Sequence, residues 1–160
     1  MTSDPAHPHA ALLGELTRLM SRWSSLELQR RITAECGVSL DPVAVRAVYL
    51  LGVAGGGARP SVLADELHLT RPSASKLVAR LTEAGLAERR RDPADRRAAT
   101  VELTETGEDV YRRLFSAGVG MVDAATADWD PADVRALGAL LHRFVGGLLR
   151  PDPAPGNREE

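Results

Sequence analysis

The sequence predicts a mainly α-helical fold with one small β-hairpin, and three features predict it. Residues 61–84 hold two short segments with helical apolar spacing, joined by the tight turn His68-Leu69-Thr70. Residues 86–104 hold two strand-like runs, Leu86 to Arg91 and Ala99 to Thr104, around a turn-rich Asp-Pro-Ala-Asp-Arg-Arg. On either side lie long helical patterns with more apolar residues than a small domain needs for its own core. That order spells a winged helix-turn-helix carried between terminal dimerisation helices.

Taken in order, residues 1–9 are polar and broken by proline, so a disordered tail is expected; His7 and His9 within it are not expected to hold a metal. From Ala10 to about Ala34, Leu12, Leu13, Leu16, Leu19, Met20, Trp23 and Leu26 recur at threes and fours, which predicts one helix in a dimerisation segment spanning 10–36. A helix of about 25 residues is roughly 37 Å long at ~1.5 Å per residue, and its surplus apolar face wants a partner. Cys36 falls in the turn that follows.

The DNA-binding-type domain is expected over 37–104. Asp41 and Pro42 have the chemistry of an N-cap and a first helical position, and Val45, Val48 and Leu50 or Leu51 point inward. That helix should stop before Gly55-Gly56-Gly57, read as a flexible connection. Ser61 is expected to cap the next helix, with Leu63, Ala64 and Leu67 packing inward.

The reader helix, 71–84, is the best specified. Thr70 offers a hydroxyl cap, Pro72 sits in the first turn where its missing N–H costs nothing, and Gly85 follows the last periodic residue. Ala74, Leu77, Val78 and Leu81 make one apolar stripe. The other side carries Arg71, Pro72, Ser73, Ser75, Lys76, Ala79 and Arg80, small hydrogen-bonding side chains with cations among them. The hairpin, 86–104, follows as the wing, with Val101 and Leu103 alternating against Thr100 and Glu102.

After the wing, Thr104 caps a helix running to about Ala127, within which Gly107, Gly118 and Gly120 predict one close helix contact or bend. Asp130 and Pro131 start a last helix with a stripe of Val134, Leu137, Leu141, Phe144, Val145 and Leu148. Residues 105–150 are thus read as further dimerisation helices and 151–160 as a second disordered tail.

Charge narrows the function. Between Arg71 and Arg97 there are eight cations and four carboxylates, a balance of +4 in a chain whose total is −2. An acidic body with one basic blade fits a nucleic-acid reader, because neutralising phosphates supplies most of the non-specific affinity.

The wing reads DPADRRAATVELTETG, and Asp95, Arg97, Leu103, Thr104 and Gly107 fall in the spacing Asp-x-Arg-x5-Leu-Thr-x2-Gly. This resembles the signature of the MarR family of bacterial transcriptional regulators, and the likeness runs over about residues 10–150. The resemblance implies a two-fold homodimer on a pseudo-palindromic operator in double-stranded DNA. It places Arg71, Ser73, Ser75, Lys76 and Arg80 at the major groove or phosphates and the Arg96-Arg97 pair at the minor groove. Asp95 is read as structural, holding the wing turn. A small-molecule effector is expected by the same analogy, with Trp23 and Tyr49 as its candidate neighbours.

Other functions find little support. No histidine pair shares a helix face, Gly55-Gly56-Gly57 lacks the lysine of a phosphate-cradling loop, and there is no nucleophile elbow, so neither an enzyme nor a cofactor is expected. One cysteine and no apolar run of membrane length lead to the expectation of a cytoplasmic, disulfide-free protein without a membrane partner. The sequence therefore predicts a dimeric, ligand-responsive repressor. Its alternatives are an oxidant sensor acting through Cys36 and a winged-helix protein-interaction module without DNA binding.

Overall fold

The computed structural model describes residues 7–91 and 99–149. Ten elements follow in the order α1 (Pro8–Trp23), α2 (Leu26–Glu35), α3 (Pro42–Val53), β1 (Gly57–Ala58), α4 (Pro60–Glu66), α5 (Arg71–Glu83), β2 (Ala87–Arg91), β3 (Ala99–Leu103), α6 (Glu105–Ala125) and α7 (Pro131–Leu148). The chain is mainly α with a small antiparallel sheet, as expected. It divides after Val119 into two compact units.

In the first unit the core is built where the sequence put it. The reader stripe Ala74, Leu77, Val78 and Leu81 is buried, and so are Leu63, Ala64 and Leu67 of the preceding helix. They share that core with Ala44, Ala47, Val48 and Leu51 of α3, Val101 and Leu103 of β3, and Val110 and Leu114 of α6. On α3 the buried face is thus turned by one residue from the expected one, leaving Val45 and Leu50 half-buried. Ala44 and Ala47 were passed over as too small, yet they are what lets two helices approach.

Four helices end alike. After α2, α3, α4 and α5 the residue beyond the C-cap takes a positive φ: Gly37, Gly55, His68 and Gly85. The next N–H then reaches back five residues: Val38 to Thr33, Gly56 to Leu51, Leu69 to Ala64 and Leu86 to Leu81, at 2.8–2.9 Å. These bonds satisfy carbonyls that a helix end leaves open. His68 (φ 53°) is the one non-glycine among them, and it makes the turn of the helix-turn-helix.

Several boundaries differ from expectation, each for a local reason. The first long helix is two helices. The Ser24 hydroxyl donates back to the Met20 carbonyl at 2.7 Å, and extended Ser25 accepts from the Leu28 N–H to cap α2. The tail is shorter than 1–9, since Pro8 already stands at the first position of α1. Arg59, not Ser61, is the N-cap of α4, because Pro60 takes the position where a missing N–H is tolerated. The Gly55-Gly56-Gly57 connection is ordered: Gly57–Ala58 pairs with Val101 and Glu102 as the third strand, giving the sheet order β1-β3-β2.

The wing strands pair in register Ala87↔Leu103 through Arg91↔Ala99. Their exit is closed by Thr104, whose hydroxyl donates to the Gly85 carbonyl at 2.6 Å and accepts from the Gly107 N–H at 3.1 Å. Gly107 is the close contact foreseen among the three glycines of α6, for it lies flat against the Leu86 carbonyl.

In the second unit, α7 is capped by Asp130, which accepts from the Ala132 N–H at 2.7 Å. Neither α1 nor α7 contains a buried residue. No described helix is long and apolar enough to cross a membrane.

Gly107→Ala tests the joint. Helix propensity alone would favour alanine by about 1 kcal/mol, but its Cβ would meet the Leu86 backbone, which cannot give way. A net loss of about 1–3 kcal/mol is expected in urea unfolding; an equal or more stable variant would show that the contact is loose.

Candidate nucleic-acid interface

The stripe that α5 buries determines what it presents. Arg71, Ser73, Ser75, Lys76, Ala79 and Arg80 are all exposed on the remaining surface of the helix. Thr70 caps it, accepting from the Ser73 N–H at 3.3 Å while its hydroxyl donates to Ser73 Oγ at 2.9 Å. From Arg71 to Arg80 this face carries no carboxylate. Such a helix, convex and cationic with small side chains, can enter a groove lined with phosphates.

The cations are not equivalent. Arg80 Nη1 lies 2.7 Å from Asp41 Oδ2, although 39 residues separate them in the chain. Arg90 on β2 is held by Glu88 at 2.7 Å and Glu102 at 3.3 Å, and both carboxylates, Glu88 first, raise its pKa. Arg71, Lys76 and Arg89 have no ion pair among the described residues. Arg89 stands opposite Val101 and Arg90 opposite Thr100, so the two neighbours point to opposite faces of the sheet. Arg89 is the candidate contact that the sequence reading missed, and strand alternation against its partner is the signal that could have found it. Asp95, Arg96 and Arg97 lie outside the described residues.

Asp41 is doubly used. Its Oδ1 accepts from the N–H groups of Val43 and Ala44, at 3.0 Å each, and so caps α3. Partial burial pushes its carboxyl pKa up. The Ala44 N–H, the Arg80 guanidinium and the Val43 N–H outweigh that, leaving it below the ordinary 3.8.

The candidate effector residues are not brought together by any recorded contact. Trp23 ends α1 with half its surface exposed. Tyr49 is half-buried, its hydroxyl donating to the Leu114 carbonyl at 2.6 Å, with the Tyr111 ring edge-on at 6.0 Å. Burial first, then the Cys36 and Tyr111 charges, raise its pKa. Cys36 is partly buried, 3.6 Å from the Arg113 carbonyl, and Arg113 donates to the Cys36 carbonyl at 2.7 Å. It lines an open groove of about 520 Å³ with Glu35, Asp109, Arg112, Arg113 and Ser116.

Fold and surface define a winged helix-turn-helix protein. Residues 38–98 match the model of the MarR family. Solved structures with the same fold include a MarR family protein from Bacillus stearothermophilus (18% identity, 89% of this chain and 96% of that one, TM-score 0.72). NadR in complex with 4-hydroxyphenylacetate is 23% identical over 90% of this chain and 97% of that one, with TM-score 0.62. The organohalide-sensing regulator RdhR-CbdbA1625, in its 2,4-dichlorophenol-bound form, is 17% identical over 89% and 82%, with TM-score 0.59. No curated protein matches the chain. The chain belongs to the MarR family, whose members are transcriptional regulators rather than enzymes.

The Asp41–Arg80 pair has a signature in stability. A carboxylate whose pKa is lowered by folding stabilises above its unfolded value and loses that contribution as pH falls through the folded one. Wild type should therefore exceed Asp41→Asn by under about 1 kcal/mol at neutral pH, the range of an exposed pair. The gap should close below pH 3.8. A gap that persists in acid would exclude the charge of Asp41 as its source.

Proposed function

We propose that the protein is a dimeric, sequence-specific DNA-binding regulator, and that it acts as a ligand-responsive repressor. The observation that carries this reading is the face of α5: a helix fixed by its buried stripe, free of carboxylates from Arg71 to Arg80, with Arg71 and Lys76 unpaired among the described residues. In this reading Ser73 and Ser75 reach base edges and Arg71 and Lys76 reach phosphates in the major groove. Arg89 meets the backbone beside them. Arg96 or Arg97 at the wing tip suits a narrow minor groove, whose potential attracts guanidinium.

The unpartnered apolar faces support the dimer. Leu13 and Met20 on α1 and Leu140 and Leu148 on α7 are each more than half exposed. A helix of that length has marginal stability alone and gains most of it from packing an apolar face. A second copy covers these faces in a closed two-fold assembly. Two reader helices then meet a pseudo-palindromic operator with half-sites about 34–36 Å apart.

The phenolic ligands of NadR and of RdhR-CbdbA1625 support a small aromatic effector here. Tyr49 is the nearer of the two candidate residues to the core that carries α5, and Trp23 the more exposed.

Affinity for promoter fragments from its own locus, followed against salt, tests the proposal. The logarithm of the association constant should fall linearly with log salt, and Arg71→Ala, Lys76→Ala or Arg89→Ala should each reduce the slope by about 1. A phenolic acid such as 4-hydroxyphenylacetate, added to the complex, should release the DNA. Retention of DNA at every ligand level would remove the effector claim, and salt-independent binding would remove the DNA claim.

Light scattering decides the assembly. A mass twice the chain's 17.1 kDa is expected, falling to that of one chain in Leu13→Glu or Leu141→Glu. A monodisperse wild-type monomer would sink the dimer.

A further inference from the structure

We propose that Asp41 is a positioning residue for the reader helix: it holds Arg80 and so fixes how α5 lies on α3, which leaves Arg80 serving the protein's own geometry instead of a phosphate. The proposal rests on the DNA-binding reading of α5.

The two carboxylate oxygens of Asp41 have separate tasks. Oδ1 is fixed by the N–H groups of Val43 and Ala44, and Oδ2 faces Arg80 Nη1 at 2.7 Å. Because the cap already immobilises the carboxylate, ordering the pair costs only the freedom of the arginine. The contact between the helices otherwise consists of aliphatic side chains, Leu77, Val78 and Leu81 sharing one core with Ala44, Ala47 and Val48. Apolar contact has no preferred direction, so it resists separation more than rolling. A charged strut at its edge supplies the missing direction.

Place along the helix agrees. Arg80 lies in the last turn of α5, about 13.5 Å along the axis from Arg71. Recognition helices of this kind read bases mainly from their N-terminal residues. Arg80 and Asp41 side chains are 55% and 42% exposed, a setting in which an ion pair adds little stability. Orientation is the property such a pair can still control.

Asparagine caps a helix about as well as aspartate, so Asp41→Asn keeps α3 intact and removes the charge. Asp41→Asn and Arg80→Gln should each weaken operator affinity about fivefold, ~1 kcal/mol at 1.4 kcal/mol per decade. The double variant should be no weaker than either, and the salt slope should stay at its wild-type value. If Asp41→Asn instead binds more tightly with a steeper slope, Asp41 is a competitor for a phosphate-binding Arg80 and the proposal is wrong. It is equally wrong if Arg80→Gln lowers the slope by about 1 while Asp41→Asn changes nothing.

Lys76→Ala, outside the pair, reports on the DNA reading by itself. A DNA-free arm keeps the two apart: by NMR, the Asp41 carboxyl should titrate at higher pH in Arg80→Gln than in wild type. Identical titrations would mean that no pair exists in solution, which overturns the proposal whether or not DNA is bound.

Discussion

The burial of one four-residue stripe, Ala74, Leu77, Val78 and Leu81, is the constraint on which the rest of the first unit depends. A helix of 13 residues has two sides, and committing one to the core leaves the other to solvent. Nothing on the exposed side is needed for folding. It is therefore free to carry serines and cations that a core could not accept, and a surface chosen for recognition becomes compatible with a stable domain. The small residues Ala44, Ala47 and Ala74 bring α3 and α5 together closely enough for Asp41 to reach Arg80.

The far end of α5 is tied as firmly. Gly85 stops the helix, the Leu86 N–H returns to Leu81, and the Gly85 carbonyl accepts from the Thr104 hydroxyl. Thr104 N–H donates to Leu86 O at 3.1 Å, and Gly107 leaves room for that carbonyl. Reader, wing exit and the first turn of α6 thus share one set of backbone hydrogen bonds. Side-chain substitutions at the reading face leave this frame untouched, because none of its bonds involves an exposed residue of α5 other than through the backbone.

Much of this was legible because it is local. Caps at Asp41, Thr70 and Asp130 and the glycine stop at Gly85 are short-range chemistry, and the reader stripe is a period of one helix. What was not legible required a partner far along the chain. The serine break in the first helix was hidden because Trp23 and Leu26 keep helical spacing across it, so the apolar pattern ran on where the backbone did not. Gly57–Ala58 as a strand depends on Val101 and Glu102 arriving beside it. Summed charge counted Arg80 and Arg90 with the others, whereas pairing with Asp41, Glu88 and Glu102 sets them apart, and no local pattern carries that distinction. The wing tip, with Asp95, Arg96 and Arg97, lies outside the described residues and stays an expectation of sequence alone.

The apolar surplus and the cationic face are two parts of one argument. On the proposed reading a single protomer offers Arg71, Lys76 and Arg89, with Arg96 and Arg97 from the wing, as candidates for phosphate or groove contact. Salt-sensitive binding of useful strength draws on about 6–10 phosphate contacts, more than one such set supplies and within reach of two. The exposed leucines of α1 and α7 would then do more than seek cover. By joining two readers they convert the second encounter with DNA into an intramolecular event, whose effective concentration is set by the geometry of the assembly. Affinity on that account comes from association of the chains as much as from the residues that touch the duplex, so a change in the spacing of the two readers would suffice to release it.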